Sequence, residues 1–143
     1  IGRLVGSEMC IRDSLYTDTT RLVKELPTLR LLTRDPVEIE KLAHRLAKVL
    51  QECLELCEVT VESTYSQVGS GALPVDRLQS AALKIARPDL RRPGKTLEKL
   101  AEAFRKLQIP VIGRISGDAL WFDLRCLEDE KGFVENLQGL KVR

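Results

Sequence analysis

A chain of 143 residues with 43% hydrophobic and 31% charged side chains has the composition of an ordinary soluble globular protein, and it is long enough to bury one core. Its net charge of +2 is too small to indicate a nucleic-acid-binding protein unless the basic residues form a patch. No apolar run approaches the ~20 residues of a membrane span, and no secretory signal is visible, so we expect a cytoplasmic protein with no membrane partner.

The first part of the chain predicts little regular structure. Residues 1–14, "IGRLVGSEMCIRDS", lack a helical or strand period and are predicted to be a non-native, adapter-like read-in. Residues 15–34 are predicted to be the tail of a preceding helix, stopped by Pro27, and then an extended segment. Three leucines of this segment are expected to be buried, namely Leu29, Leu31 and Leu32.

Three amphipathic helices are predicted downstream. The first runs from Pro36 to about Cys57, with Asp35 at the N-cap and Pro36 at the first helical position. Its apolar residues recur at helical spacing from Ile39 onward. The second is expected from about Thr96 to Leu107 and the third from about Asp129 to Leu140.

Four strands complete the prediction. The segment "EVTVESTYS" alternates apolar and polar residues, "SAALKIA" follows as a second strand, and "VIGRI" and "ALWFDLRCL" form a hairpin across "SGD". Strands joined as hairpins form an antiparallel sheet, which the helices must cover. The predicted fold of residues 35–143 is therefore an α+β two-layer sandwich.

The glycine-containing segment Tyr65–Pro74, "YSQVGSGALP", lies between the first two strands. A Walker loop requires GxxxxGK[ST] before a helix, and a dinucleotide loop requires a third glycine that opens a helix; neither pattern is present. A turn between antiparallel strands is favoured, whose glycines would let backbone N–H groups approach a ligand.

No catalytic or metal-binding residues can be assigned from spacing. His44 is the only histidine, which argues against a catalytic triad or a histidine-rich metal site, and we expect it to be solvated or partly packed. The four cysteines lack a zinc-site spacing and are expected to be small buried hydrophobes. No lysine occupies an apolar context typical of a Schiff base.

Basic residues offer two weaker signals. The loop Arg87–Lys95 carries four cations that would contact phosphates of RNA or a cofactor, although a solvated loop is the simpler interpretation. Arg114 and Arg125 lie on predicted strands, from which an arginine can bind a carboxylate or phosphate bidentately. For Arg125, an ion pair with Asp123 on the solvent face is the alternative.

Three long strings, "ELPTLRLLTR", "SQVGSGALPVDRLQSAALKI" and "IPVIGRISGDALWFDLRCLEDE", occur in this order. They closely resemble the C-terminal part of bacterial selenocysteine synthase, the L-seryl-tRNA(Sec) selenium transferase. The resemblance covers the chain from about residue 15. It implies that residues 15–34 are a lead-in from a missing large domain and that residues 35–143 are the small C-terminal domain of a fold-type I pyridoxal-phosphate enzyme.

The resemblance implies an activity for the whole enzyme. Members convert seryl-tRNA(Sec) to selenocysteinyl-tRNA(Sec) with selenophosphate as the selenium donor, and they assemble as homo-oligomers. The Schiff-base lysine, the arginines that hold the selenium donor and the tRNA-gripping segment all lie upstream of the matched region. We therefore expect this chain to be a truncated member that binds no pyridoxal phosphate and is inactive alone.

In related fold types the segment after the first strand approaches the substrate side of the cofactor cleft. The residues expected to face that cleft are Ser66, Gln67, Gly69, Ser70, Gly71 and Arg114. The alternative function is a free-standing α+β module that binds a regulatory ligand, such as an amino acid, or RNA.

Overall fold

The structure is a computed structural model that describes residues 19–67 and 77–140. Backbone contacts divide the chain into two compact units, Ile1–Arg34 and Asp35–Arg143. The helices and strands, numbered in chain order, are α1 Thr19–Glu25, α2 Pro27–Leu32, α3 Pro36–Cys53, β1 Glu58–Gln67, β2 Arg77–Ala86, α4 Gly94–Arg105, β3 Arg114–Ser116, β4 Ala119–Asp123 and α5 Glu130–Leu137.

The second unit has the predicted α+β layout, with the order helix, strand, strand, helix, strand, strand, helix. Its four strands form one antiparallel sheet in the order β1-β2-β4-β3. Within the described residues β1 pairs on one side only, with β2, so this ten-residue strand is an edge of the sheet. The three-residue strand β3 forms the other edge.

Helix α3 begins where the sequence predicts. Asp35 is its N-cap: a side-chain oxygen accepts a hydrogen bond from the Val37 amide at 2.9 Å, and Pro36 fills the first helical position. The helix ends at Cys53 rather than Cys57, because Leu54 leaves helical backbone angles and caps it through its N–H to the Leu50 carbonyl.

The hairpin across "SGD" is confirmed as a two-residue turn. Ser116 pairs with Ala119, and the intervening Gly117 and Asp118 both have φ near 56°. Two consecutive left-handed residues match the right-handed twist of the flanking strands, and glycine and aspartate tolerate that conformation best.

A single hydrophobic core joins one face of the sheet to α3, α4 and α5. Alternate strand residues supply it, with Leu83 and Ile85 on β2 and Leu120 and Phe122 on β4 all nearly inaccessible. Phe104 of α4 packs on Phe122 with ring centroids 4.8 Å apart. We call this the apolar face of the sheet.

The first unit differs from the prediction. Residues 27–32 form helix α2, not an extended segment, since Pro27 ends α1 but serves as the first residue of the next helix. The three leucines of this segment are half-buried rather than buried: Leu29, Leu31 and Leu32.

Among the helices that the structure describes, none combines the length and apolar composition needed to cross a bilayer.

Candidate functional site

The candidate site lies on the other face of the same sheet. A groove of about 410 Å³ opens there between the ends of β1 and the β3–β4 hairpin. Antiparallel pairing fixes which side chains share this face, because directly opposed residues point to the same side. We call it the polar face, and its residues include Thr64, Ser66, Lys84, Arg114, Trp121 and Asp123.

The groove brings together three of the residues predicted to face a cleft. Ser66 and Gln67 line it from the end of β1, and Arg114 lines it from β3. Gly69, Ser70 and Gly71 lie outside the described residues. The described strands on either side of this segment are antiparallel, and Gln67 pairs with Arg77.

The carboxylate of Asp123 organises one end of the groove. One oxygen accepts from the Ser80 hydroxyl at 2.7 Å and from the Arg125 amide at 3.1 Å, and the other oxygen accepts from the Ser66 hydroxyl. These donors come from β1, β2 and the segment after β4, so the carboxylate connects these three segments of the chain at the groove wall. Ser80 is 3% exposed, which makes its bond to a charged acceptor a stabilising one.

Arg125 does not face the groove or the solvent, contrary to both interpretations of the sequence. Strand β4 ends at Asp123, and the Arg125 side chain is 5% exposed, with its guanidinium donating to the main-chain carbonyl of Gln79. It also contacts Asp123 through its main-chain amide. Arg125 is therefore a structural connector between the end of β4 and the start of β2.

Trp121 was not predicted as a site residue. Its indole N–H donates to the Ser116 carbonyl at 2.9 Å, and the ammonium of Lys84 lies 5.5 Å from its ring centroid. Lys84 also lies 3.9 Å from a carboxylate oxygen of Glu62. The signal was present in the two-residue turn, since this turn places Arg114 directly opposite Trp121.

Gly113 allows the strand leading into β3 to approach β4. A Cβ at this position would lie 2.6 Å from a ring carbon of Phe122 and 2.9 Å from the Trp121 carbonyl oxygen. No side chain fits there without displacing its neighbours, so the groove wall requires glycine.

The basic loop is less available than the sequence suggests. Arg87 forms two hydrogen bonds with Asp89, at 2.8 and 2.7 Å, which lowers the pKa of the Asp89 carboxyl. Arg91, Arg92 and Lys95 are not engaged in this way, and Arg91 is exposed. His44 is exposed, as expected, 3.8 Å from Glu40.

The cysteines are not uniformly buried, so that expectation was wrong for two of them. Cys57 is buried, and burial raises the pKa of its thiol, whereas Cys53 and Cys126 are exposed. No group of three or more metal-binding side chains occurs in residues 19–67 and 77–140.

A second, mainly apolar groove of about 320 Å³ lies beside the start of α5. The exposed side chains of Ile109 and Ile112 line it, with 63% and 78% of their surface accessible. Asn136 of α5 holds its rim by exchanging two hydrogen bonds with the main chain of Ile109, at 3.1 and 2.7 Å.

Comparison with known proteins gives one consistent family. The chain is 52% identical over 123 residues to L-seryl-tRNA(Sec) selenium transferase of Klebsiella pneumoniae strain 342, and 49% identical over 124 residues to the proteins of that name from Photorhabdus laumondii and Yersinia pestis. Each comparison covers 86% of this chain but only 26% of the relative, so the chain spans about a quarter of the length of these relatives.

A family model described as SelA, L-seryl-tRNA selenium transferase, matches residues 3–128. This match begins within the segment predicted to be non-native and extends through both units. It covers most of the 143 residues, and the chain belongs to the L-seryl-tRNA selenium transferase family.

Proposed function

We propose that this chain is the C-terminal part of a selenium transferase that converts seryl-tRNA(Sec) to selenocysteinyl-tRNA(Sec) with selenophosphate and pyridoxal phosphate, in the cytoplasm. The observation that carries the proposal is the 52% identity to a relative of which the chain spans only 26%. In this proposal residues 1–14 are non-native, residues 15–34 are a lead-in, and residues 35–143 are the small domain.

The described residues do not fit a pyridoxal-phosphate site. An aldimine-forming lysine needs an enclosed environment that desolvates its amine. The Lys84 side chain is one of the less exposed lysines in the described ranges, and it lies over Trp121 and beside Glu62 rather than in such an enclosure. We therefore assign the cofactor and the catalytic lysine to the remainder of a family-length protein.

The role proposed for the domain is to close the cofactor cleft and support subunit contacts. The groove supports this role, because Ser66, Gln67 and Arg114 all line it. The exposed isoleucines of the apolar groove support an interface with other parts of a homo-oligomer.

A chimaera tests this function. The matched segment of the Klebsiella pneumoniae relative would be replaced by the corresponding residues of this chain, and formation of selenocysteinyl-tRNA(Sec) from seryl-tRNA(Sec) would be measured. Because the two segments are 52% identical, we expect the chimaera to retain activity. A correctly assembled chimaera without activity would contradict the proposal.

The isolated chain provides the complementary experiment. Titration with pyridoxal phosphate should produce no Schiff-base absorbance band, and a stoichiometric aldimine would contradict our assignment of the lysine to another part of the protein. Sequencing the source locus upstream of residue 15 addresses the alternative of a free-standing module. A native start there would favour the module over the transferase.

A further inference from the structure

The polar face carries a row of three side chains on three neighbouring strands of the sheet. Lys84, Trp121 and Arg114 are direct cross-strand partners on β2, β4 and β3, so their side chains project to the same side of the sheet. Lys84 is engaged by Glu62 and by the indole ring. Arg114, at the end of the row, is exposed and lines the groove.

Arg114 is the donor pole of this groove. No nitrogen of its guanidinium lies within 4.0 Å of a carboxylate oxygen in the described part of the chain. An arginine offers five N–H donors in a planar fork, which matches two oxygens of a carboxylate or a phosphate. Its charge is therefore available to an oxyanion in the groove.

Asp123 and Ser66 form the acceptor pole. Three donors engage the Asp123 carboxylate, which has about four acceptor positions, so one remains on the oxygen that Ser66 contacts. The Ser66 hydroxyl has given its hydrogen to that oxygen, and its own lone pairs can only accept. This end of the groove therefore favours a ligand that brings hydrogen-bond donors and positive charge.

The two poles are close enough for one small ligand. Arg114 and Asp123 are diagonal neighbours on adjacent strands, which places their Cα atoms roughly 7–8 Å apart, yet the two side chains form no ion pair. A phosphate dianion at Arg114 would be repelled by the Asp123 carboxylate. A zwitterion satisfies both poles, because its carboxylate meets the guanidinium and its ammonium meets the carboxylate.

We propose that this groove binds a free α-amino acid, with the ligand carboxylate on Arg114 and the ligand ammonium on Asp123 and Ser66. The proposal goes beyond the transferase function, since the amino acid is a separate ligand and not one esterified to tRNA. It needs no residue from outside the second unit.

Trp121 reports directly on this groove, because it is the only tryptophan of the chain and lines the groove wall. The full chain would be titrated with L-alanine and L-serine while tryptophan fluorescence is recorded. Propionate and ethylamine are matched probes, since each lacks one of the two charged groups of alanine, and inorganic phosphate tests for a simple anion site. We expect saturable binding of the amino acids and at least tenfold weaker binding of the other three.

Variants test the donor pole. Arg114→Gln should weaken amino-acid binding at least tenfold, a change of ~1.4 kcal/mol. The affinity of Arg114→Lys should lie between those of the parent chain and Arg114→Gln, because lysine keeps the charge but loses the planar, two-pronged guanidinium. Arg105→Gln, the same change at an exposed position of α4, is the matched control and should bind like the parent chain. Circular dichroism would verify that all three variants are folded.

Three outcomes would overturn the inference: no saturable fluorescence change with either amino acid, equal binding by Arg114→Gln, or phosphate binding as tightly as the amino acids. These outcomes leave the proposed transferase function intact, because the chimaera measures that function independently. Conversely, an inactive chimaera together with Arg114-dependent binding would support the amino-acid site and the free-standing module.

Discussion

The two faces of the sheet differ in what they contribute: the apolar face contributes stability, and the polar face holds charged side chains. Successive residues of β2 point in opposite directions, so fully buried Leu83 lies next to Lys84, whose side chain is 34% exposed and bound to Glu62 and Trp121. The apolar face gains its stability from area removed from water. The polar face gains little from burial but holds charged groups at fixed positions, which is what recognition requires.

The largest expected effect on stability distinguishes Leu83 from its neighbour Lys84. Leu83→Ala should lower the free energy of unfolding by about 2–5 kcal/mol, because it removes a fully buried side chain that β2 contributes to the hydrophobic core. Lys84→Ala, one residue away, should cost at most ~1 kcal/mol, the range of a partly exposed ion pair. Urea denaturation of both variants checks the comparison, and equal losses would contradict the division between the faces.

Ser80 is the position where the polar face should contribute most to stability. Ser80→Ala removes a 2.7 Å hydrogen bond to the Asp123 carboxylate from a site that is 3% exposed. The expected loss is about 1.5–3 kcal/mol, since the acceptor is charged. Ser66→Ala, which removes a donor at the more accessible end of the same carboxylate, is the control and should cost less in the same denaturation experiment.

Gly113 tests how closely the segment before β3 must approach β4. Gly113→Ala would place a methyl group against Phe122 on the apolar face and against the Trp121 carbonyl, at a cost of about 1–3 kcal/mol. Gly94→Ala is the matched control, because nothing lies within 4 Å of a Cβ at that position. A thermal unfolding midpoint for Gly113→Ala equal to that of the control would show that this approach is not needed.

The smallest effect concerns pH. The Arg45 guanidinium, which forms two 2.9 Å hydrogen bonds with Glu130, holds the pKa of that carboxyl below its ordinary value of 4.5. Because this pKa is lower in the folded state, the ionised Glu130 carboxylate stabilises the fold above pH 4.5. This stabilisation is lost as the pH falls through the pKa of the folded state. The free energy of unfolding would be measured from about pH 7 to about pH 3 for the parent chain and for Glu130→Gln, and the excess stability of the parent chain should shrink at the acid end. If the difference in the free energy of unfolding did not change with pH, the ion pair would be excluded as the source of that difference.

Sequence reasoning predicted the order of the second unit's elements because each local signal agreed with the tertiary structure. Asp35 and Pro36 mark a helix start, and glycine and aspartate fit the two-residue turn of the hairpin. It failed at Pro27, where the same residue that ends one helix begins another. Proline restricts the residue before it but leaves the residues after it free to form a new helix.

The groove was only partly predictable. The resemblance to related fold types implies that Ser66, Gln67 and Arg114 face a cleft, but their proximity depends on strand order, which places β4 beside β2 and β3 at the edge. In the sequence Asp123 is interpreted only as an ion-pair partner of Arg125, and Trp121 is indicated only through the hairpin register that places it opposite Arg114. Arg125 was misplaced because alternation was extended past Asp123, where β4 ends.

The unequal edges of the sheet carry a consequence for how the chain behaves in solution. The short β3 edge offers few backbone groups to an added strand, whereas β1, ten residues long, leaves the outward-pointing N–H and C=O groups of alternate residues unpaired within the described part of the chain. Such a row is a template for adding a strand, and proline, which would block it, is absent from β1. Glu58 and Glu62, the latter beside Lys84, are the charged groups of this strand, and neutralising both should favour pairing of the edge with a second copy.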